Sequence, residues 1–457
     1  MNKKQKITIG ILITIILLAL VAFFSLKKTD KVSILSNSIS VAKNVINLLP
    51  IKDDTKKEIQ TIDALSKEFT KNDNLERRYL ILLQNNMELR PGGGFLGQYA
   101  IIKIKNGEIT QMYFEDANLL DQRIKAKIPA PYPFKRMMSI KRWKFRDSNF
   151  SPDFPTNVEK AKYFYRLSGR NSDFDGVIAV NSNTFNNIFK LTGPITVPGY
   201  NVTLNDKNAT LKLEEIVEKK YILDNTIDTQ NRKAVMKTLM RLIIEKLNHI
   251  NNIPKISRFV LEELRNKDIM LNFKNEELQK MISGVHWDGG VSKEWNGDYL
   301  MLSDANMGAL KTNYYITREI NYSVDLTGEK PIASLEVLYK NSATYGDWRT
   351  SDYHSYFRVY VPKGSKLLER KMVSYPLIQE DFGKTYFGFL LHVLINGQTD
   401  VKIKYELPES IRKENYKLLI QKQSGMGDVP VKITVKTSKG EFTQESILRK
   451  DLKFEIK

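Results

Sequence analysis

The stretch Asn86-Met87-Glu88-Leu89-Arg90-Pro91-Gly92-Gly93-Gly94-Phe95 sets an acid, a guanidinium and three successive glycines side by side. Glycine reaches φ > 0 without strain and lets backbone N–H groups converge on one point. An arginine beside such a turn can grip a phosphate or carboxylate with two parallel hydrogen bonds. Arg90, Gly92, Gly93 and Gly94 are therefore candidate anion-binding residues. The plain alternative is a flexible loop with a surface charge. The glycine run fits neither the phosphate-loop nor the dinucleotide pattern, because no helix signature follows it. Two further cations join the set. Arg232 falls in the first turn of a helix opened by Asp228-Thr229, where the helix N-terminus favours anions. Lys311 follows a strand, 298–306, that ends in the polar groups Ser303-Asp304-Ala305-Asn306, and strand ends often carry ligand-binding groups in α/β sheets.

These residues need elements to hold them. The apolar run Tyr79-Leu80-Ile81-Leu82-Leu83 reads as a buried strand leading into the glycine turn, and residues 98–114 as a hairpin with its tip at Asn106-Gly107. Residues 116–146 are irregular, with Pro129, Pro131 and Pro133 among many lysines and arginines. Such a segment is either a mobile cover over an anion site or an ordinary exposed loop. Thr156-Asn157-Val158-Glu159 has the form of a capping box, so a helix is expected from there to Ser168, ending at Gly169. Val177-Ile178-Ala179-Val180 reads as a short buried strand, and Ser182 as the cap of the next helix. Strand and helix alternate here, which predicts a central α/β domain with a mixed sheet over 77–313.

Residues 7–26 are an almost unbroken apolar run of about 20 residues, enough to span roughly 30 Å of hydrocarbon as a helix. The expectation is an uncleaved single-pass anchor with a cytoplasmic tail, 1–6, and the bulk of the chain outside the cytoplasm. A buried core helix is the alternative. Residues 27–76 read as a helical stalk. From 314 to 457 alternation dominates, and turn formers separate the runs. This predicts an antiparallel β-sandwich of immunoglobulin-like kind.

Composition narrows the chemistry. The 457 residues contain no cysteine, which removes disulfides, thiolate zinc sites and thiol catalysis. The four histidines, His249, His286, His354 and His392, lie far apart in sequence and show no metal-ligand spacing. The formal net charge of +19 favours anionic partners, although scattered lysines are commonly only a solvated surface. Nucleic acid is not expected, because the basic residues would lie beyond the membrane from it.

Four motifs carry a resemblance. Asn85-Asn86-Met87-Glu88-Leu89-Arg90-Pro91-Gly92-Gly93-Gly94-Phe95, the run Arg146-Asp147-Ser148-Asn149-Phe150-Ser151-Pro152-Asp153-Phe154-Pro155, Phe174-Asp175-Gly176-Val177-Ile178-Ala179-Val180 with Leu191-Thr192-Gly193-Pro194-Ile195, and Ser303-Asp304-Ala305-Asn306 with Lys311-Thr312-Asn313 resemble family number 4012 of the domains of unknown function. In motif order the middle region is more distantly similar to the LytR-CpsA-Psr phosphotransferases. Those are membrane-anchored enzymes that move glycopolymers from a polyprenyl diphosphate onto peptidoglycan. That likeness implies Arg146 and Asp147 as catalytic residues, Arg90 and Arg232 on the diphosphate, and a Mg²⁺ held by Asp147 with Asp175 or Asp304. The chain departs from the pattern at Pro91, where an acid would follow the first arginine, at Lys219-Lys220 in place of an Arg-x-Arg pair, and at Gly193-Pro194 in place of Gly-Gly. Two functions stand side by side: a phosphotransferase acting on a polyprenyl-diphosphate-linked glycopolymer, or a non-catalytic envelope protein that binds a glycan or lipid headgroup.

Overall fold

The computed structural model describes residues 53–216, 253–411 and 415–456, with 238–239, 241–243 and 245–247 besides. The expected anchor, the tail and Arg232 lie outside them. Among the described residues no helix is long and apolar enough to cross a membrane.

The first unit runs α1 (Asp53–Thr70), β1 (Glu76–Asn85), β2 (Phe95–Lys105), β3 (Glu108–Asp116), α2 (Ala117–Arg123), α3 (Phe134–Met138), α4 (Phe154–Leu167), β4 (Gly176–Asn181), α5 (Ser182–Thr192), β5 (Ile195–Val197), β6 (Val202–Leu204), α6 (Ala209–Glu214), α7 (Ile253–Arg265), β7 (Ile269–Phe273) and α8 (Glu276–Gly284). Its main sheet has the order β3-β2-β1-β4-β7. Only β1 and β4 pair in parallel, so the sheet is mixed, as the sequence predicts. The unbroken apolar run of β1 follows from its central place. Successive side chains point to opposite faces, and both faces are covered. Tyr79, Ile81 and Leu83 pack with α5, α7 and α8, whereas Leu80 and Leu82 pack with Phe154, Val158 and Phe164 of α4.

Of the expected stalk, residues 27–52 lie outside the described residues, and the described part, α1, packs against the first unit instead of standing apart. Leu65 joins the same core as Ile81, and Glu58 pairs with Arg265 of α7. Its apolar stripe is satisfied by the sheet unit it covers. Helix α4 begins two residues before the expected capping box, because Asp153 accepts hydrogen bonds from the Thr156 backbone N–H (3.1 Å) and hydroxyl (2.6 Å). At α5 the cap is Asn181 rather than Ser182.

The second unit holds β8 (Asp298–Asn306), β9 (Ile316–Asp325), β10 (Ile332–Asn341), β11 (Tyr353–Pro362), β12 (Lys366–Lys371), β13 (Leu377–Asp381), β14 (Lys384–Val393), β15 (Gly397–Glu406), β16 (Lys417–Gln421), β17 (Pro430–Thr437), β18 (Gly440–Ile447) and β19 (Leu452–Glu455). They form two six-stranded sheets, β12-β15-β10-β9-β17-β18 and β13-β14-β11-β8-β16-β19. One apolar cluster takes residues from both, among them Phe357, Phe387 and Leu418 from one and Tyr322, Val337 and Ile403 from the other. Two features depart from the immunoglobulin-like expectation. The strands β8·β16 and β9·β17 pair in parallel, and the described residues form twelve strands rather than the seven to nine of that fold. The boundary also falls earlier than 313: β8, expected in the α/β domain, sits in the second unit between β11 and β16.

Candidate functional site

The glycine turn lies where the two units meet. Asn85 closes β1 by accepting from the Met87 N–H (3.1 Å), which opens a short 3-10 turn over Asn86–Glu88. The Leu89 carbonyl then accepts from the Asn306 N–H at the end of β8 (2.9 Å), and the Leu89 N–H donates to the Asn313 side chain (3.1 Å). From the other side the Gln423 amide donates to the Arg90 carbonyl (3.2 Å).

The three glycines serve this packing. The Gly92 N–H donates to the Asn149 carbonyl (3.0 Å) and the Gly93 N–H to the Arg90 carbonyl (2.9 Å), so these amides are already engaged within the chain. Gly93 and Gly94 hold φ of +119° and +154°. A Cβ on Gly92 would come within 2.9 Å of the Asn149 carbonyl oxygen, and one on Gly94 would overlap the Asn85 backbone. All three are buried. The Gly92 and Gly93 amides do not form the expected anion cradle, because carbonyls of the same chain already take them.

Arg90 is 1% exposed and held on three sides. Its guanidinium donates to the Asn306 carbonyl (2.7 Å) and to the Glu88 carboxylate (3.0 Å), and lies 5.4 Å from the centre of the Phe95 ring. Its Nε has no hydrogen-bond partner and sits 3.9 Å from Asp147 Oδ1. Asp147 and Arg146 arrive on a 3-10 turn, Phe145–Asp147, that Asp121 of α2 positions. One Asp121 oxygen accepts from the Phe145 N–H and the other from Arg146 Nε, each at 2.8 Å. Trp143 locks the turn from outside through its indole N–H to the Asp147 carbonyl (2.8 Å).

These groups converge on a cavity of about 240 Å³. Glu88, Arg90, Lys144, Arg146 and Asp147 supply its charged lining, and Phe95, Met138, Ile140 and Ala309 its apolar wall. Burial pushes the Glu88 carboxyl up, while Arg90 and Lys311 pull it down, and the net shift is upward. Burial likewise raises Asp121 against the pull of Arg146. Three cations face two carboxylates, and one of those carboxylates resists ionisation. The arrangement suits a small anion carrying an apolar substituent.

The expected metal set does not assemble. Asp175 Oδ2 accepts from the Arg78 N–H (2.7 Å) at the opening end of β1. Seven strand residues, roughly 23 Å, separate that end from the glycine turn. Asp304 is enclosed in the second unit, where it accepts from Arg318 (2.6 Å), Ser355 (2.9 Å) and Tyr339 (3.0 Å). Only Asp147 reaches the cavity. Lys311 lies 5.3 Å from the Trp348 ring and near enough to act electrostatically on Glu88. The sequence assigns Glu88 no site role, whereas Lys144, Met138 and Ile140 fall in the basic stretch 116–146, read as either a cover over an anion site or an exposed loop. Only the two-residue spacing of Glu88 and Arg90 hinted at their pairing. A second cavity, of about 250 Å³, lies beside the turn and is rich in amides, among them Asn86, Asn183, Asn186 and Asn313.

Residues 74–217 match the family model described as "Protein of unknown function (DUF4012)". This segment is a DUF4012 region. It contains Glu88, Arg90, Lys144, Arg146 and Asp147, so the whole charged lining of the cavity falls within the DUF4012 match, whereas Ala309 comes from the β unit. No curated protein matches the chain. Two solved structures show low similarity. Lmo1026 of Listeria monocytogenes, described as a candidate transcriptional factor and solved as fragment 52–321, is 12% identical, with a TM-score of 0.24 over 46% of this chain and 77% of that one. Lin1025 of Listeria innocua is 12% identical, with a TM-score of 0.25 over 47% and 79%. Neither TM-score supports an assignment of fold or function.

Proposed function

We propose that the protein is a membrane-anchored envelope protein whose DUF4012 region binds the phosphate-bearing headgroup of a lipid-linked glycan. The observation that carries this reading is the meeting of Arg90, Lys144 and Arg146, from distant parts of the chain, at one cavity with an apolar wall. Phosphate oxygens would take the guanidinium and ammonium donors, and the first carbons of the lipid would lie along Met138 and Ile140. The apolar stretch 7–26 would hold the chain at the outer face of the membrane, beside such a headgroup.

A second reading, phosphoryl transfer, draws on the two carboxyl groups in the cavity. An acceptor hydroxyl oxygen would attack the glycan-linked phosphorus, the bond to the bridging oxygen would break, and polyprenyl phosphate would leave. Asp147 would take the hydroxyl proton, and the arginines would stabilise the leaving oxygen. Scattering of Asp147, Asp175 and Asp304 weighs against a Mg²⁺ held by those three, so the binding reading ranks first.

The test is calorimetry of the full chain with farnesyl diphosphate, farnesol and inorganic diphosphate, followed by product analysis with an added glycan acceptor. The binding reading expects the amphiphilic diphosphate to bind more tightly than either half alone and to be recovered intact. Release of farnesyl phosphate would shift the account to transfer, and equal binding of farnesol would remove the anion site.

A further inference from the structure

Two ligating side chains close in sequence, Asp352 and His354, meet the distant His392 at one end of the second unit. Strands β11 and β14 pair antiparallel in a register that sets His354 directly opposite His392. Cross-strand partners have Cβ atoms about 4.5–5.5 Å apart, so both rings rise from the same face. The two imidazoles lie stacked, with centroids 4.4 Å apart and planes within 9°. Asp352, just before β11, brings Oδ2 to 3.2 Å from His392 Nε2. Its other oxygen accepts from the Ile395 N–H at 2.9 Å.

We propose that Asp352, His354 and His392 form a binding site for a divalent transition-metal ion, of which Zn²⁺ is the reference case. One ligating atom from each residue lies within 4.8 Å of the other two. A tetrahedral ion with bonds of about 2.0–2.1 Å needs donors about 3.3 Å apart. Rotation of the two rings, one exposed and the other half-buried, closes that gap. Two imidazoles and one carboxylate form a nitrogen-rich set that suits Zn²⁺, Co²⁺, Ni²⁺ or Cu²⁺ and disfavours Mg²⁺ and Ca²⁺, which prefer all-oxygen shells. The Ile395 amide would act as the outer partner that orients the carboxylate. Three protein ligands leave a fourth position for water or an external donor.

The site is separate from the anion cavity, yet linked to it by backbone. The His354 carbonyl accepts from the Met307 N–H at 2.8 Å, and two residues further on Ala309 borders that cavity. Neither site needs the other to bind its ligand.

The experiment is equilibrium dialysis of the metal-stripped full chain against Zn²⁺, with Co²⁺ absorption as a second readout and Mg²⁺ as the contrasting ion. The proposal expects one Zn²⁺ per chain, a Co²⁺ visible band typical of a four- or five-coordinate site, and Mg²⁺ unable to displace either. His392→Ala and Asp352→Asn should each weaken Zn²⁺ by more than the roughly 10–100-fold that loss of an outer partner costs. His392 is an exposed side chain, and its variant is expected to melt with the parent. Zn²⁺ bound well below one per chain, or held equally by His392→Ala and Asp352→Asn, would overturn the proposal. If His354→Ala unfolds, the two other variants decide.

Discussion

Asp304, which the sequence offered as a metal ligand, should prove to be the counter-charge that keeps a buried arginine in place. Arg318 and Asp304 are 3% and 1% exposed, and their contact is 2.6 Å. Ser355 and Tyr339 complete the carboxylate's partners, and the Gln423 side chain ties the Asp304 backbone from both sides (2.9 and 2.8 Å). Asp304→Ala removes the acceptor and leaves a guanidinium buried without a partner charge. Breaking a buried pair in this way costs about 3–5 kcal/mol, because the remaining charge stays desolvated. For a unit of roughly 150–250 residues, each kcal/mol moves the melting temperature by about 2–4 °C, so the expected fall is about 6–20 °C. Replacing both partners with apolar residues, as in Asp304→Leu with Arg318→Met, should recover much of that loss, since no orphaned charge remains. Scanning calorimetry of the parent, the single and the double variant gives the comparison. A melt for Asp304→Ala within a degree or two of the parent would refute the reasoning, and so would a double variant less stable than the single.

Three further outcomes are expected. Burial lifts the Asp298 carboxyl to about 6, against the hydrogen bonds of Tyr416 and Tyr322 that favour its ionised form. The folded state therefore holds this proton more tightly than the unfolded one, so the contribution of Asp298 is full below the ordinary carboxylate range and is lost as pH rises through about 6. Relative to Asp298→Asn, the parent should lose up to about 3 kcal/mol of stability between pH 4 and pH 7, measurable by urea titration at each pH. Gly425 has φ of +79°, and a Cβ there would overlap the Gly93 carbonyl, so Gly425→Ala should destabilise by more than about 1 kcal/mol and raise protease sensitivity at the junction of the two units. Arg146→Ala removes a cation from the cavity and leaves Asp121 buried without its side-chain partner, so it should both weaken headgroup binding and lower the melting temperature, whereas Lys144→Ala should weaken binding alone.

Local rules carried far along this chain. Asn106-Gly107 names the hairpin tip, and both residues take positive φ there. The run Tyr79 to Leu83 reads as a doubly buried strand, which is what β1 is. What local pattern could not supply was pairing at a distance. The strand 298–306 has the pattern of the polar end of an α/β sheet, but it pairs with residues 355–360 and 418–421, and no periodicity within it encodes that choice. The glycine run is ambiguous for a related reason. A run of three permits both an open cradle and tight packing, and only the arrival of Asn149, Gln84 and Ser424 from elsewhere decides between them. Turn-rich loops carry Arg90, Arg146 and Asp147, which marks them as candidates, and they do reach one cavity. Glu88 stands two residues from Arg90, but short spacing inside a 3-10 turn does not announce which side chains face inward, and the basic stretch holding Lys144 does not by its composition say which of its cations reaches the cavity.

The central claim is that cations gathered beside the β1–β2 turn hold a phosphate-bearing headgroup. Its most direct test is the affinity of the full chain for farnesyl diphosphate, measured side by side for the parent, Lys144→Ala and Arg146→Ala. Each cation lost removes a charge-assisted hydrogen bond of about 1.5–3 kcal/mol, so each variant should bind about 10–150-fold more weakly, with the parent's affinity falling as salt rises. Equal affinity across all three proteins, or parent binding indifferent to salt, would contradict the account.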